Sequence, residues 1–224
     1  MCKPFIGKPF SIQDAYWRFR ALPLEGAAGR LLLPETITMT TSTSDYPPIM
    51  DAEWPEAASH LKDGFADRLN VYRTMAHHPK LLAAWAPLRD HVVVKNALGP
   101  EFSEVVILRT GHRMNAPYEW AHHVSRARAC GMDDGRIASI AGALQNMNAD
   151  DATLSRAVDE LMLDKRLTPE TTEAVTALVG KEGLFDVIAT VGFYTTLGFI
   201  VNSFATPIDD AISRELSEKP LAAP

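Results

Sequence analysis

From Trp54 onward, apolar positions recur three and four residues apart, and prolines and glycines cut the pattern into helix-sized pieces. Pro55 stands where a first-turn proline is tolerated, and Phe65, Leu69, Tyr72 and Met75–Ala76 recur at helical spacing. Pro79 opens a second helix through Leu81, Leu82, Trp85 and Leu88 that ends near Gly99. Pro100 opens a third, Pro117 a fourth that stops at Gly131, and Asp133-Asp134 caps a short fifth. Asp150 to Lys165, Pro169 to Gly180 and Gly183 to Phe204 complete the set. No segment alternates with period two, so the pattern predicts an all-α fold without a sheet. Leu184 to Ala205 reaches membrane-spanning length, but Asp186, Tyr194, Asn202 and several threonines interrupt it and it lacks a basic flank. It predicts a helix buried by protein rather than by lipid.

Met1 to Pro48 breaks the pattern. Its Thr/Ser-rich run, Thr36 to Ser44, and the following Tyr46-Pro47-Pro48 suit an extended arm or linker, and Met39 inside it looks like an alternative translation start. No apolar core with a cleavage site lies between Met1 and Gly29, so a signal peptide is not expected. The expected organisation is an arm over 1–48, a helical domain over 49–210 and a tail over 211–224. Within the domain, Leu98 to Gly111 matches Leu167 to Gly180 at the leucines, the proline, both glutamates, a valine and the last glycine. Helix-start grammar explains part of this match, and a duplicated helical hairpin is the alternative.

Composition narrows the partners. The 224 residues are 46% hydrophobic and 22% charged, which suits one substantial soluble core. With 22 basic against 28 acidic side chains, the net charge of −6 gives no general attraction to nucleic acid or to anionic membranes. The two cysteines, Cys2 and Cys130, are too few and too far apart for a disulfide framework, a structural zinc site or a Cys-x-x-Cys pair, and suit a reducing, cytoplasmic compartment.

The chemistry concentrates between Glu104 and Arg128. Glu104, His112, Arg113, Tyr118, Glu119, His122, His123, Arg126 and Arg128 crowd two consecutive helices joined near Asn115-Ala116-Pro117. On the second helix Glu119, His123 and Arg126 share one face, whereas Trp120, Val124 and Ala127 form a separate apolar stripe. Antiparallel packing of the pair brings Glu104 or Leu108 toward His123 and leaves His112 and Arg113 near the connection. A carboxylate beside an imidazole fixes its tautomer and raises its basicity, as general acid/base chemistry requires; the alternative is a set of satisfied helix polar groups. Metal binding is not expected. Glu119 and His122 form the one Glu-x-x-His pair where a di-iron bundle uses two, and the adjacent His122 and His123 point about 100° apart on a helix.

The run from Glu104 to Ile137, with its Tyr118-Glu-Trp-Ala-His-His123 core and the glycine-acid helix start after it, resembles the carboxymuconolactone decarboxylase and alkyl hydroperoxidase D-like family. More loosely, the resemblance extends from Trp54 to Pro207. It implies an all-α helical bundle that assembles as a homotrimer or homohexamer, with a pocket near a subunit interface. The peroxidase branch of that family uses a Glu, two cysteines separated by two residues and a His four residues beyond the second. Registered on Glu104 and His123, those cysteines fall on Ala116 and Glu119, so a hydroperoxidase reading lacks its nucleophile. The decarboxylase branch implies a cofactor-independent lyase acting on a small carboxylated or lactone intermediate of aromatic catabolism. The implied catalytic residues are His123 as proton donor or shuttle, Glu104 as its orienter and Glu119 as a second carboxylate. His112 and Arg113 are the implied carboxylate anchors, with His122 and Tyr118 also substrate-binding. A non-catalytic oligomeric binding protein of the same fold is the remaining alternative.

Overall fold

A computed structural model describes residues 45–221, where eight α-helices form and no strand does. They are α1 (Asn70–Met75), α2 (Pro79–Asp90), α3 (Gly99–Arg113), α4 (Pro117–Ala129), α5 (Asp134–Ser139), α6 (Ala149–Leu163), α7 (Pro169–Ser203) and α8 (Asp210–Glu218). Pro79, Pro100, Pro117 and Pro169 sit in first turns, where a missing N–H costs nothing. Side-chain caps start others: Asp133 accepts from the Arg136 N–H at 2.9 Å and Asn148 from the Asp151 N–H at 2.8 Å.

The centre of the fold is α3, buried without a break from Ser103 to Gly111, with α4, α6 and α7 around it. Val105, Leu108, Ile137, Leu154, Val158, Val187 and Val191 close one apolar core; Tyr72, Leu82, Ile107, Phe193, Tyr194 and Leu197 close the other. Together these buried side chains supply the main stabilisation, at about 1.5–3 kcal/mol for each large one. Gly111 allows α4 to approach α3: a Cβ at this position would lie 3.2 Å from the Glu119 Cβ. That contact holds Glu119 on the inner side of the helix pair.

The apolar stretch from Leu184 onward is the second part of α7, set off by a break at Gly180, whose φ of 74° favours glycine. It is long and apolar enough to cross a membrane, yet Val187, Val191, Tyr194, Leu197 and Val201 pack into the cores. Asp186 has a structural task in this helix. It takes the His91 Nε2–H at 2.6 Å and the Ala97 N–H at 2.7 Å, tying the α2–α3 connection to α7.

Three expectations need correction. The helix anticipated from Pro55 through Ala76 is instead a 3-10 segment, Glu56–Leu61, then turns, then the short α1. The break comes at Lys62, which is extended, and at Asp63, with φ of 63°. The helix anticipated from Pro79 to Gly99 stops at Asp90. Pro87 lacks the N–H that its last turn would use, and a π-turn over His91–Lys95 follows. The segment expected as a C-terminal tail from residue 211 includes α8, which packs on α4. Most of the N-terminal arm, with Cys2 and Met39, lies outside the described residues.

Candidate active site

Antiparallel packing of α3 on α4 puts Glu104 beside His123. The His123 Nδ1–H donates to Glu104 Oε2 at 2.6 Å, and the Arg126 Nε–H donates to Glu104 Oε1 at 3.2 Å. One turn earlier on α4, Glu119 Oε2 lies 3.8 Å from His123 Nε2, beyond hydrogen-bond length. Tyr194 from α7 meets the His123 ring edge-on at 4.9 Å. Glu104, Glu119 and His123 are 3%, 3% and 4% exposed, so their charge states follow from burial and from their partners.

These states differ along the row. Burial pushes the Glu104 carboxyl up, but His123 and Arg126 together outweigh it and leave Glu104 below its ordinary range, ionised. Burial also lowers His123, and Glu104 only partly opposes this, so the imidazole is neutral. With Nδ1–H given to a carboxylate that can only accept, the Nε2 lone pair faces Glu119. Glu119 has no such compensation. Burial raises its carboxyl to about 8, and Oε1 is buried without a hydrogen-bond partner. At neutral pH the row therefore reads Glu119 protonated, His123 neutral, Glu104 ionised and Arg126 cationic.

Two cavities meet this row. A small one of about 180 Å³, room for about six waters, is lined by Glu119, His123, Tyr72, Arg89, Arg126 and Tyr194, among others. A larger one of about 540 Å³ is lined by Glu104, Arg126, Ser103, Asn96 and Cys130. The Glu104–His123 hydrogen bond thus connects the two, while Arg126 borders both.

The other expected residues lie elsewhere or do other work. His122 and Tyr118 line the small cavity, but their polar atoms are engaged. His122 Nδ1 faces the Tyr118 carbonyl at 2.8 Å and Nε2 faces Asp209 Oδ2 at 2.8 Å; the Tyr118 hydroxyl donates to the same Oδ2 at 2.6 Å. Burial raises the Tyr118 phenol well above its usual range, with Asp209 adding to it. The pair holds Asp209, at the start of α8, rather than offering free donors to a ligand. The expected anchors His112 and Arg113 reach neither cavity. Arg113 is captured by Asp159, which it meets at 2.5 Å and which also binds the buried Arg109 at 2.6 Å, and His112 packs near Trp120. Sequence reasoning passed over Tyr72, Arg89, Tyr194 and Asp209. Tyr194 and Asp209 carried faint signals, as a polar group in an apolar helix and as an acidic helix cap; Tyr72 and Arg89 carried none toward a site.

Residues 79–162, from α2 into α6, match the model of the carboxymuconolactone decarboxylase family. No curated protein matches the sequence. Among solved structures, the chain is similar to an uncharacterized peroxidase-related protein from Silicibacter sp. TM1040, with TM-score 0.64 and 11% identity over 79% of this chain and 97% of that one. A second is an uncharacterized peroxidase-related protein with an alkylhydroperoxidase AhpD core from Ralstonia eutropha JMP134, with TM-score 0.65 and 16% identity over 77% and 96%. A third is the debrominase Bmp8, solved as a cysteine-to-alanine variant in complex with 2,3,4-tribromopyrrole, with TM-score 0.58 and 15% identity over 80% and 98%. These likenesses establish the alkyl hydroperoxidase D-like fold, and within it residues 79–162 carry the match to the carboxymuconolactone decarboxylase family.

Proposed function

We propose that the chain is a cofactor-independent carboxy-lyase that decarboxylates a small carboxylated lactone of the kind formed in aromatic catabolism, with Glu119 as its acid. The observation that carries this reading is Glu119 itself: a buried carboxyl raised to about 8, one oxygen unpartnered, facing a small cavity in line with His123 and Glu104. Perturbed carboxyls of this kind mark proton-transfer sites. In the reaction the bond to the carboxylate carbon breaks and carbon dioxide leaves. The electron pair delocalises onto the lactone carbonyl as an enolate. The Glu119 proton then passes to carbon, which needs no external oxidant or reductant. Solvent reprotonates Glu119 after carbon dioxide leaves, while His123, held by Glu104 through its Nδ1–H, keeps its Nε2 lone pair toward Glu119 and Arg126 balances the Glu104 charge. A positioned acid supplies about 10²–10⁴-fold in rate.

Thiol peroxidase chemistry lacks this support. Ala116 and Glu119 occupy the positions where the family's peroxidases carry cysteines, and Cys130 opens on the other cavity with its thiol raised by burial, which reduces thiolate. Self-association of the chain is part of the proposal, supported by Phe185, Ile188 and Phe199, which α7 exposes. Turnover of carboxymuconolactone followed by ultraviolet absorbance tests the activity. His123→Ala is expected to lose at least about 10²-fold while light scattering shows an unchanged oligomer; an undiminished rate would remove His123 from the mechanism.

A further inference from the structure

An acid that works on a carboxylated substrate also needs a group to hold the anion, and neither His112 nor Arg113 reaches the cavity. Two arginines on the other side of it are differently placed. Arg73, Arg109, Arg113, Arg126, Arg128 and Arg136 each pair with a carboxylate; among the described arginines without one, Arg68, Arg89, Arg156, Arg166 and Arg214, Arg89 lines the small cavity and Arg68 lies beside it. Arg89 is positioned instead by an aromatic ring: its guanidinium lies 4.9 Å over Phe65, and its Nε is buried without a hydrogen-bond partner. It also lies beside Tyr72, whose phenol burial raises to about 12, so that the hydroxyl stays a neutral donor.

Arg89 occupies a boundary. It lines the small cavity with Glu119 and His123, and it also lines an outer groove of about 400 Å³ with Arg68, Phe65 and Gly64. Leu69 and Tyr72 are the other residues common to both spaces. In the small cavity Glu119 is protonated and His123 neutral, so the charged groups on its wall are the cations Arg89 and Arg126. Arg126 already serves Glu104. A protein of net charge −6 thus presents a guanidinium without an ion-pair partner on the wall of its acid site, and a second arginine outside it.

We propose that Arg89 is the anion-binding residue of this site, and that the groove beneath Arg68 is the entrance for a small organic carboxylate. This rests on the acid-site reading for its direction: the carboxylate is held at Arg89 while the carbon to be protonated lies toward Glu119. A planar guanidinium binds a carboxylate through two parallel hydrogen bonds, which a lysine cannot reproduce. The exposed Arg68 contributes long-range attraction that salt screens.

Calorimetric titration of the full chain with 2-furoate, a compact ring carboxylate, and with furfuryl alcohol, its uncharged counterpart, tests the assignment without relying on turnover. Furoate is expected to bind at least about tenfold more tightly than the alcohol, and Arg89→Ala is expected to abolish that preference. Arg89→Gln, which keeps the side-chain stem over Phe65, is expected to do the same with an unchanged melting temperature, and Arg89→Lys to restore only part of it. Arg68→Ala is expected to weaken furoate at low salt and to match the wild type at high salt. Equal affinity for the two ligands, or furoate affinity unchanged in Arg89→Gln, overturns the anion site; a furoate affinity at low salt that ignores Arg68→Ala overturns the entrance. The Glu119→Gln variant separates the two readings. Unchanged turnover in it defeats the acid reading alone, and furoate binding independent of Arg89 defeats the anion site alone.

Discussion

Replacing Glu119 by glutamine removes an ionisable group from the interior and keeps its size, so the effect on stability is set by the proton. In the folded chain burial raises the carboxyl from 4.5 to about 8. The unfolded chain therefore loses this proton first as pH rises. Between the two values the folded state binds more protons than the unfolded one, and stability falls with rising pH. At about 1.4 kcal/mol per pH unit, a shift from 4.5 to about 8 costs the wild type about 5 kcal/mol once both states are ionised, with about 3–4 kcal/mol of it lost between about pH 5 and about pH 8. Glu119→Gln carries no such term. Its amide brings a fixed cost from whatever it leaves unbonded, but this cost does not vary with pH and cancels when the two conditions are compared. Urea unfolding of both proteins at matched concentration, from about pH 5 to about pH 8, reads the difference directly. The variant is expected to gain about 3–4 kcal/mol on the wild type across that range. A stability difference that stays constant with pH would mean that Glu119 titrates as an ordinary surface carboxyl, and the acid at the centre of the mechanism would be lost.

Other consequences concern the frame around the site. Asp159→Asn leaves the buried Arg109 and its neighbour Arg113 without their shared carboxylate, and is expected to cost about 3–5 kcal/mol in urea unfolding without changing furoate affinity, because none of these residues lines the small cavity. Asp209→Asn weakens the bonds from His122, Tyr118 and the Asn70 N–H. It is expected to cost about 1–3 kcal/mol and to speed hydrogen exchange in α8; unchanged protection there would show that Asp209 does not hold the helix.

Fold and site were legible to different depths. Helix starts were readable because Pro79, Pro117 and Pro169 act locally, and Gly180 marked a break that its positive φ requires. The Glu104–His123 contact was also readable, since antiparallel helices joined by a short connection leave few registers. What failed depended on longer-range partners or on backbone geometry that spacing does not encode. Asp63 turns the chain with positive φ inside an apparent helical run, and Pro87 acts within α2 where it resembles a tolerated proline. Arg113 looked free until α6 brought Asp159 to it. Arg89 looked like one more surface cation, because its stacking partner Phe65 precedes it by two elements. Glu119, which sequence spacing could present only as a second carboxylate, gains its character from burial by Gly111, Tyr72 and Tyr194.

Whether a protonated Glu119 drives the chemistry is decided by the rate of carboxymuconolactone turnover in Glu119→Gln, with binding of 2-furoate as the control for an intact cavity. A loss of at least about 10²-fold with furoate affinity retained is expected. A variant that turns over as fast as the wild type would contradict it.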